Sequence, residues 1–166
     1  MLINQGMGVI LMPFIFWGDE FLYSLKSEAS FDSAHFLSGY EGKCRNIHGH
    51  RWRIIAEIMS EKLIDNGQLR GMIVDFSDLK HDLNEIADYF DHAFIYEEGS
   101  LKNSTVYALF EECFRLIEVP FRPTAENFSK HIFELMKEKG YIVKCITVYE
   151  TPNNCASYSE DCNGRI

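Results

Sequence analysis

Two stretches near the start of the chain alternate between apolar and polar side chains, and this pattern constrains the fold more than any other feature. FLYSLKSEASF, which begins at Phe21, places an apolar or small residue at every second position. HRWRIIAEIMS, which begins at His50, carries Trp52, Ile54 and Ile58 on one face. Successive side chains of a strand point to opposite faces, so both stretches predict half-buried strands. We expect the two strands to be neighbours in a hairpin.

The apolar spacing then changes to three and four residues, as in helices. The first helical pattern starts near a cap at Asp75 or Ser77 and continues to Phe90. A second pattern covers residues 106–117, and a third starts at the cap Thr124 and stops at Gly140. YIVKCITVYE and CASYSE, separated by the turn TPNN, predict two final strands.

The order of strands and helices predicts an α+β domain, with a four-stranded antiparallel sheet and the helices on one face. We expect a single domain over residues 21–166, preceded by an extension at residues 1–20. The apolar run in this extension, residues 7–17, is too short to span a bilayer, so no membrane partner is expected.

Charge and cysteine content narrow the functional class. The formal net charge of -9 argues against a nucleic-acid partner. The five cysteines are odd in number and form no CxxC pair, which favours a reduced, cytoplasmic compartment. A basic region typical of a signal peptide is not found before Lys26.

The segment CRNIHGHRW, residues 44–52, holds the residue types that bind transition metals. His48 and His50 are two apart on a predicted strand, so both side chains can reach one ion. His35 lies just past the end of the first strand and can supply a third imidazole. Three neutral nitrogens with one open position are typical of a catalytic zinc site. The alternative is that the HxH pair lies on the surface of a strand and binds no metal.

Six short motifs make the pattern more specific, and they occur in the order FDSAHFL, CRNIHGH, VDFSDLK, FDHAFIY, PTAEN and VYET. Together they resemble the 6-pyruvoyltetrahydropterin synthase family. The spacing from Cys44 to His50 is similar to that of the family branch that serves queuosine biosynthesis. Two segments depart from the family core, namely residues 1–20 and residues 99–122, which look like an inserted helix.

The resemblance implies a tunnelling fold (T-fold), in which three subunits close their sheets into a barrel and two trimers stack as a homo-hexamer. It also implies active sites between subunits and a bound Zn²⁺ on His35, His48 and His50. The implied substrate is 7,8-dihydroneopterin triphosphate. The implied products are 6-carboxy-5,6,7,8-tetrahydropterin, acetaldehyde and triphosphate.

The resemblance also implies roles for individual side chains. Cys44 is the expected general base, His92 the proton relay and Asp91 the group that orients His92. Glu150 is expected to bind the pterin ring through two hydrogen bonds, and Glu126 is expected to contact the substrate. Without the resemblance, each has a plain alternative: Cys44 as a buried apolar residue, His92 as a helix-terminal cation and Glu150 as a solvated strand end.

Two other functions fit the same motifs. A 6-pyruvoyltetrahydropterin synthase would eliminate triphosphate without cleaving a carbon–carbon bond. A non-catalytic scaffold would bind pterin or zinc and leave the substrate unchanged. The joint presence of Cys44, Asp91 and His92 argues against the scaffold. Lys43, Arg45 and Arg51 are the candidate partners of the triphosphate.

Overall fold

The hairpin at the centre of the fold joins the two alternating stretches. The structure, a computed structural model, describes residues 22–160. Strand β1 (Tyr23–His35) pairs antiparallel with β2 (His48–Ser60) along its whole length, from Tyr23 opposite Ser60 to His35 opposite His48. The predicted pairing is therefore confirmed. It brings His35, at the end of β1, next to His48, at the start of β2.

The remaining strands complete a curled, mixed sheet in the order β4-β3-β1-β2-β5-β6. They are β3 (Ala93–Glu97), β4 (Leu116–Val119), β5 (Val143–Thr151) and β6 (Asn154–Tyr158). Strands β1, β2, β5 and β6 form the predicted antiparallel set. Strand β3 runs parallel to β1, and β4 runs parallel to β3. The prediction of a four-stranded, purely antiparallel sheet is therefore wrong.

Short apolar segments explain this error. Strands β3 and β4 have the sequences AFIYE and LIEV, neither of which alternates long enough to be distinguished from a piece of helix. Two parallel neighbours also need a crossover connection. Helix α2 (Asn103–Glu111) provides it, and it lies within residues 99–122, whose insertion into the family core stays a prediction.

Two helices begin where capping residues predict them. Helix α1 (Phe76–Phe90) starts after Asp75, whose Oδ1 accepts a hydrogen bond from the Ser77 N–H. Helix α3 (Ala125–Glu138) starts after Thr124, whose hydroxyl accepts from the Asn127 N–H. Both caps satisfy amide groups that have no partner inside the helix.

Helix α2 is shorter than the helix predicted for residues 106–117, and this part of the prediction is corrected. Cys113 adopts a left-handed conformation with φ of 62°. Its N–H donates to the Phe110 carbonyl, and the Phe114 N–H donates to the Leu109 carbonyl. This pair of bonds is a Schellman motif, which ends a helix and redirects the chain. The chain then enters β4.

The core lies between one face of the sheet and helices α1 and α3. Phe31 and Trp52 from the sheet pack on Phe90 of α1 and Phe128 of α3, and all four are almost completely buried. Helix α2 contributes no buried residue to this core. None of the helices within residues 22–160 is long and apolar enough to cross a membrane.

The predicted extension at residues 1–20 lies outside the described residues, as does Cys162. The proposed limits of the single domain, 21–166, therefore remain a prediction.

Candidate metal and acid–base site

Three histidines meet at the end of the β1–β2 hairpin. In the antiparallel register His35 lies opposite His48, and Ser33 lies opposite His50. Directly opposed residues share a face of the sheet. The ring centroids are separated by 4.5 Å for His35 and His48, 5.2 Å for His35 and His50, and 4.9 Å for His48 and His50. The three imidazoles predicted to share one ion are therefore adjacent.

Main-chain carbonyls fix the orientation of two of these rings. The Nδ1 of His35 lies 2.7 Å from the Pro123 carbonyl oxygen, and the Nδ1 of His48 lies 2.8 Å from that of Asn46. A carbonyl only accepts hydrogen bonds, so each Nδ1 carries the proton and each Nε2 keeps a free electron pair. This is the usual arrangement of a histidine that ligates a metal.

The Nε2 atoms of His35, His48 and His50 are buried, and none has a hydrogen-bond partner among residues 22–160. Buried polar atoms almost always have a partner, so three adjacent exceptions require an explanation. A cation between them would satisfy all three at once. The donor set of this cluster therefore fits a metal ion.

Burial favours the neutral imidazole at His35 and His50. It lowers the pKa of His35 to about 4. The hydrogen bond to the Pro123 carbonyl opposes this shift, whereas the neighbouring His48 and His50 add to it. Burial likewise lowers the pKa of His50, against the opposing effect of Glu150. A neutral imidazole is the form that binds a metal, so no proton has to be displaced at neutral pH.

Glu150 extends the cluster to four possible ligands. Its Oε1 lies 3.4 Å from the Nε2 of His35 and 3.6 Å from that of His50. The carboxylate is at the end of β5 and is partly exposed. The structure thus places the residue predicted to bind pterin directly beside the histidines.

Cys44 lies in a groove next to this cluster. It belongs to a short 3-10 turn, Lys43–Arg45, and its carbonyl accepts from the Leu37 N–H at 2.8 Å. The groove has a volume of about 300 Å³ and is also lined by Glu126, Glu150 and Cys155. Three of the predicted site residues, Cys44, Glu126 and Glu150, therefore share one groove.

Asp91 and His92 form a second group, which is hydrogen-bonded to the main chain of β1 at Asp32. The Asp91 Oδ2 lies 2.6 Å from the His92 Nδ1. The Asp91 Oδ1 accepts from the Asp32 N–H at 2.8 Å, and the His92 N–H donates to the Asp32 carbonyl. The hydrogen bond from Asp32 is the main cause that lowers the pKa of Asp91, with the neighbouring His92 adding to it. The carboxylate is therefore ionised and orients the ring.

His92 faces a different groove from Cys44. This groove has a volume of about 570 Å³ and is lined by His92, Asp32, Arg51, Phe114 and Arg115 among others. It shares no lining residue with the groove of Cys44. One chain therefore presents the predicted base and the predicted relay on separate surfaces.

Comparisons with known proteins agree with these features. A profile of the 6-pyruvoyl tetrahydropterin synthase family matches residues 24–161. The chain belongs to this family. The 6-carboxy-5,6,7,8-tetrahydropterin synthase of Haemophilus influenzae is 37% identical over 142 residues, which are 84% of this chain and 100% of the relative. The enzyme of the same name from Synechocystis is 30% identical and covers 82% of this chain and 93% of its own.

Solved structures share the fold at lower sequence identity. An uncharacterised protein from Wolinella succinogenes superposes with a TM-score of 0.69 at 21% identity, covering 85% of this chain and 99% of its own. The 6-pyruvoyltetrahydropterin synthase of Plasmodium vivax gives a TM-score of 0.62 at 19% identity, with coverages of 84% and 98%. The fold of the single subunit thus matches the tunnelling fold that the motifs led us to expect.

The sequence did not indicate every residue that shapes the site. Asp32 and Pro123 act through main-chain groups, which leave no side-chain signature. Arg122 was also missed: its Nη2 donates to the Ser38 carbonyl at 2.7 Å, and its guanidinium lies over the Tyr40 ring. These contacts tie the loop that carries Cys44 to the start of α3.

Proposed function

We propose that this chain is a zinc-dependent lyase that converts 7,8-dihydroneopterin triphosphate to 6-carboxy-5,6,7,8-tetrahydropterin in queuosine (7-deazapurine) biosynthesis. The observation that carries the proposal is the cluster of His35, His48 and His50, with their three Nε2 atoms buried, beside a groove lined by Cys44 and Glu150. The name of the Haemophilus influenzae relative, which the chain matches over its full length, supports the choice of product. We place the reaction in the cytoplasm.

The three histidines would hold Zn²⁺ through their free Nε2 atoms. When bound, the ion would act as a Lewis acid toward the oxygens of the substrate side chain, and neutral ligands would leave its charge undiminished. Zinc is preferred to harder cations because imidazole nitrogen suits it, whereas magnesium and calcium prefer oxygen ligands.

Glu150 would bind the pterin rather than close the metal site. A carboxylate can accept two parallel hydrogen bonds from the 2-amino group and the adjacent ring N–H of a pterin. A catalytic zinc also keeps one position open, and a fourth protein ligand would fill it. Glu126 lines the same groove from the first turn of α3 and supplies a further polar contact to the substrate.

Cys44 would remove a proton from carbon, and His92 would receive it. A thiol becomes a base only as a thiolate, so it needs a neighbouring group that favours ionisation. The Asp91–His92 pair is such a group, with Asp91 fixing the ring and stabilising its protonated form. Because Cys44 and His92 line separate grooves, we propose that the Cys44 of one subunit meets the His92 of another.

Strand edges support such an assembly. On the side of β1 away from β2, β3 pairs only with Ser33–His35, so residues 23–31 have no ladder partner within the described chain. Strand β6 ends the sheet on the other side. Closure of three sheets into a barrel would pair these edges, and stacking of two trimers would give a homo-hexamer. Light scattering should then report about six chains.

The triphosphate requires cations near the groove. Lys43 and Arg45 flank Cys44 on the 3-10 turn, and Arg51 lines the groove of His92. In an assembled site all three would surround the same substrate. We propose them as the triphosphate contacts.

The decisive experiment is incubation of the purified, zinc-loaded protein with 7,8-dihydroneopterin triphosphate, with products read by mass. The proposal requires 6-carboxy-5,6,7,8-tetrahydropterin together with acetaldehyde. Formation of 6-pyruvoyltetrahydropterin would assign the chain to the other activity of its family. Unchanged substrate in the presence of tight pterin binding would assign it as a scaffold.

A further inference from the structure

Arg115 connects the segment between β3 and β4 to the end of α1. Its guanidinium Nη2 donates to the Tyr89 carbonyl at 2.8 Å and lies 3.4 Å from the Asp88 carbonyl. Its own carbonyl accepts from the Phe94 N–H at 2.9 Å, just before β4 begins. One residue therefore contacts both sides of the short turn that carries Asp91 and His92.

The end of α1 needs this cation. The last carbonyls of a helix have no partner within it and carry a partial negative charge, which a nearby cation stabilises. The last turn of α1 contains no basic residue of its own. Arg115 supplies the charge from a distant part of the sequence and binds two of these carbonyls.

His92 depends on its main chain for its position. Its φ is 52°, in the left-handed region that costs a residue other than glycine about 1 kcal/mol. Such a conformation persists only where surrounding contacts impose it. Its side chain is 80% exposed, so Asp91 and the main chain must orient the ring.

The contacts on the turn come from two directions. On one side the main chain of Asp32 bonds both the Asp91 carboxylate and the His92 N–H. On the other side Arg115 holds the carbonyls of Asp88 and Tyr89, immediately before Asp91. Arg115 and His92 also line the same groove.

We propose that Arg115 is a positioning residue for the Asp91–His92 pair, so that the segment between β3 and β4 serves catalysis by fixing the end of α1. The inference rests on the proposed function, in which His92 relays a proton. A small displacement of a proton-transfer group can reduce a rate by about 100-fold. Arg115 itself does not need to contact the substrate.

The test compares Arg115→Ala with Arg115→Lys, and uses Lys102→Ala as a matched control. Lys102 belongs to the same segment, and its side chain makes no capping hydrogen bond to α2. We expect Arg115→Ala to lower kcat by about 10- to 100-fold, with KM and zinc content within about twofold of the wild type. Arg115→Lys keeps a donor and a charge and should restore most of kcat, as should added methylguanidinium.

A second measurement does not depend on activity. Hydrogen exchange of the His92 amide, which is bonded to the Asp32 carbonyl, should become faster in Arg115→Ala and stay unchanged in Lys102→Ala. If Arg115→Ala does not fold, Arg115→Gln, which keeps a planar donor without the charge, is measured in its place. Unchanged kcat or unchanged His92 exchange in the folded variant overturns the inference.

The two proposals fail in different ways. If the wild-type protein forms no carboxy product, the proposed function is wrong, and amide exchange still decides whether Arg115 holds the turn. If the wild type is active and Arg115→Ala matches it, the function stands and the positioning role is wrong. A loss of kcat that neither lysine nor methylguanidinium restores also overturns the positioning role.

Discussion

Asp91 and His92 are adjacent in sequence, yet their side chains contact each other, with Oδ2 and Nδ1 2.6 Å apart. Neighbouring side chains in regular secondary structure point away from each other. The left-handed main chain of His92 is what permits the contact. The pair is thus a product of the turn between α1 and β3, not of either element.

The first prediction concerns this contact. Asp91→Asn can replace the carboxylate oxygen that faces Nδ1 by an amide NH₂ group. Because that group only donates, it forces the His92 ring into the other tautomer. Turnover should fall by about 10²-fold or more, while zinc content stays at the wild-type level, because Asp91 does not touch the histidine cluster. Steady-state kinetics with metal analysis measures both, and an active Asp91→Asn enzyme would remove Asp91 from the mechanism.

The role of Glu150 can be separated from metal binding. As a pterin contact, Glu150→Gln should raise KM by about 10-fold or more and leave about one zinc per chain, since a hydrogen bond to a charged group contributes about 1.5–3 kcal/mol. His48→Ala is the matched comparison and should lose the metal. If Glu150→Gln also loses zinc, the carboxylate is a ligand and its assignment to the pterin is wrong.

The third prediction tests Cys44 against a cysteine in the same groove. Cys44→Ala should lower turnover by about 10²–10⁴-fold and keep its zinc. Cys155→Ala, which changes the same groove, should stay near wild-type activity. A thiol-alkylating reagent should inactivate the wild type and Cys155→Ala but modify Cys44→Ala without consequence. Equal effects of the two substitutions would make Cys44 a bystander.

Separate grooves for Cys44 and His92 lead to a fourth prediction. Cys44→Ala and His92→Ala should each be inactive alone. Mixed hexamers, formed by unfolding and refolding the two variants together, should recover about a quarter of wild-type activity, since random pairing leaves that share of sites intact. Mixing the folded variants without subunit exchange is the control. Mixed hexamers that remain inactive would place both residues of a site on one chain.

A fifth prediction concerns stability and pH. The Tyr141 hydroxyl donates to Asp82 Oδ2 at 2.6 Å, which ties the end of α3 to α1 and is the main cause that lowers the pKa of Asp82. A depressed carboxyl pKa stabilises the fold above the ordinary value of about 3.9, and this contribution is lost as the pH falls through the lower folded value.

Tyr141→Phe should therefore lower the free energy of unfolding by about 1 kcal/mol at neutral pH. The difference should shrink below about pH 4, as the carboxyl becomes protonated. Urea unfolding at several pH values measures it, with Tyr107→Phe on exposed α2 as the control. A difference that does not vary with pH would exclude Asp82 as the partner that matters.

Local patterns in the sequence predicted much of this structure. Alternation identified β1 and β2, and the caps Asp75 and Thr124 marked the starts of α1 and α3. The HxH spacing placed His48 and His50 on one face, as the structure has them. These features depend on a few neighbouring residues, so the sequence contains them directly.

Features that depend on distant residues escaped prediction. The parallel pairing of β3 with β1 depends on tertiary packing, since AFIYE carries no signal for its partner. The Schellman motif at Cys113 is local, but it also escaped prediction because it uses a residue that rarely adopts a left-handed conformation. The approach of Glu150 to the histidines combines the ends of β1, β2 and β5, which no local pattern can specify.

Because His35 is buried, the stability of the protein would depend on the supply of metal in the cell. His35 is fully buried, and its ring stacks edge-on against Trp52, which in turn lies against Phe128 in the centre of the domain. A cation held there would join two strands and, through the carbonyl of Pro123, the beginning of a helix. Ion uptake would then be the closing step of folding at this end of the molecule, with the binding energy added to the stability of the domain. During metal starvation the abundance of the protein would decline along with its activity, because molecules without the ion would be the first to be degraded.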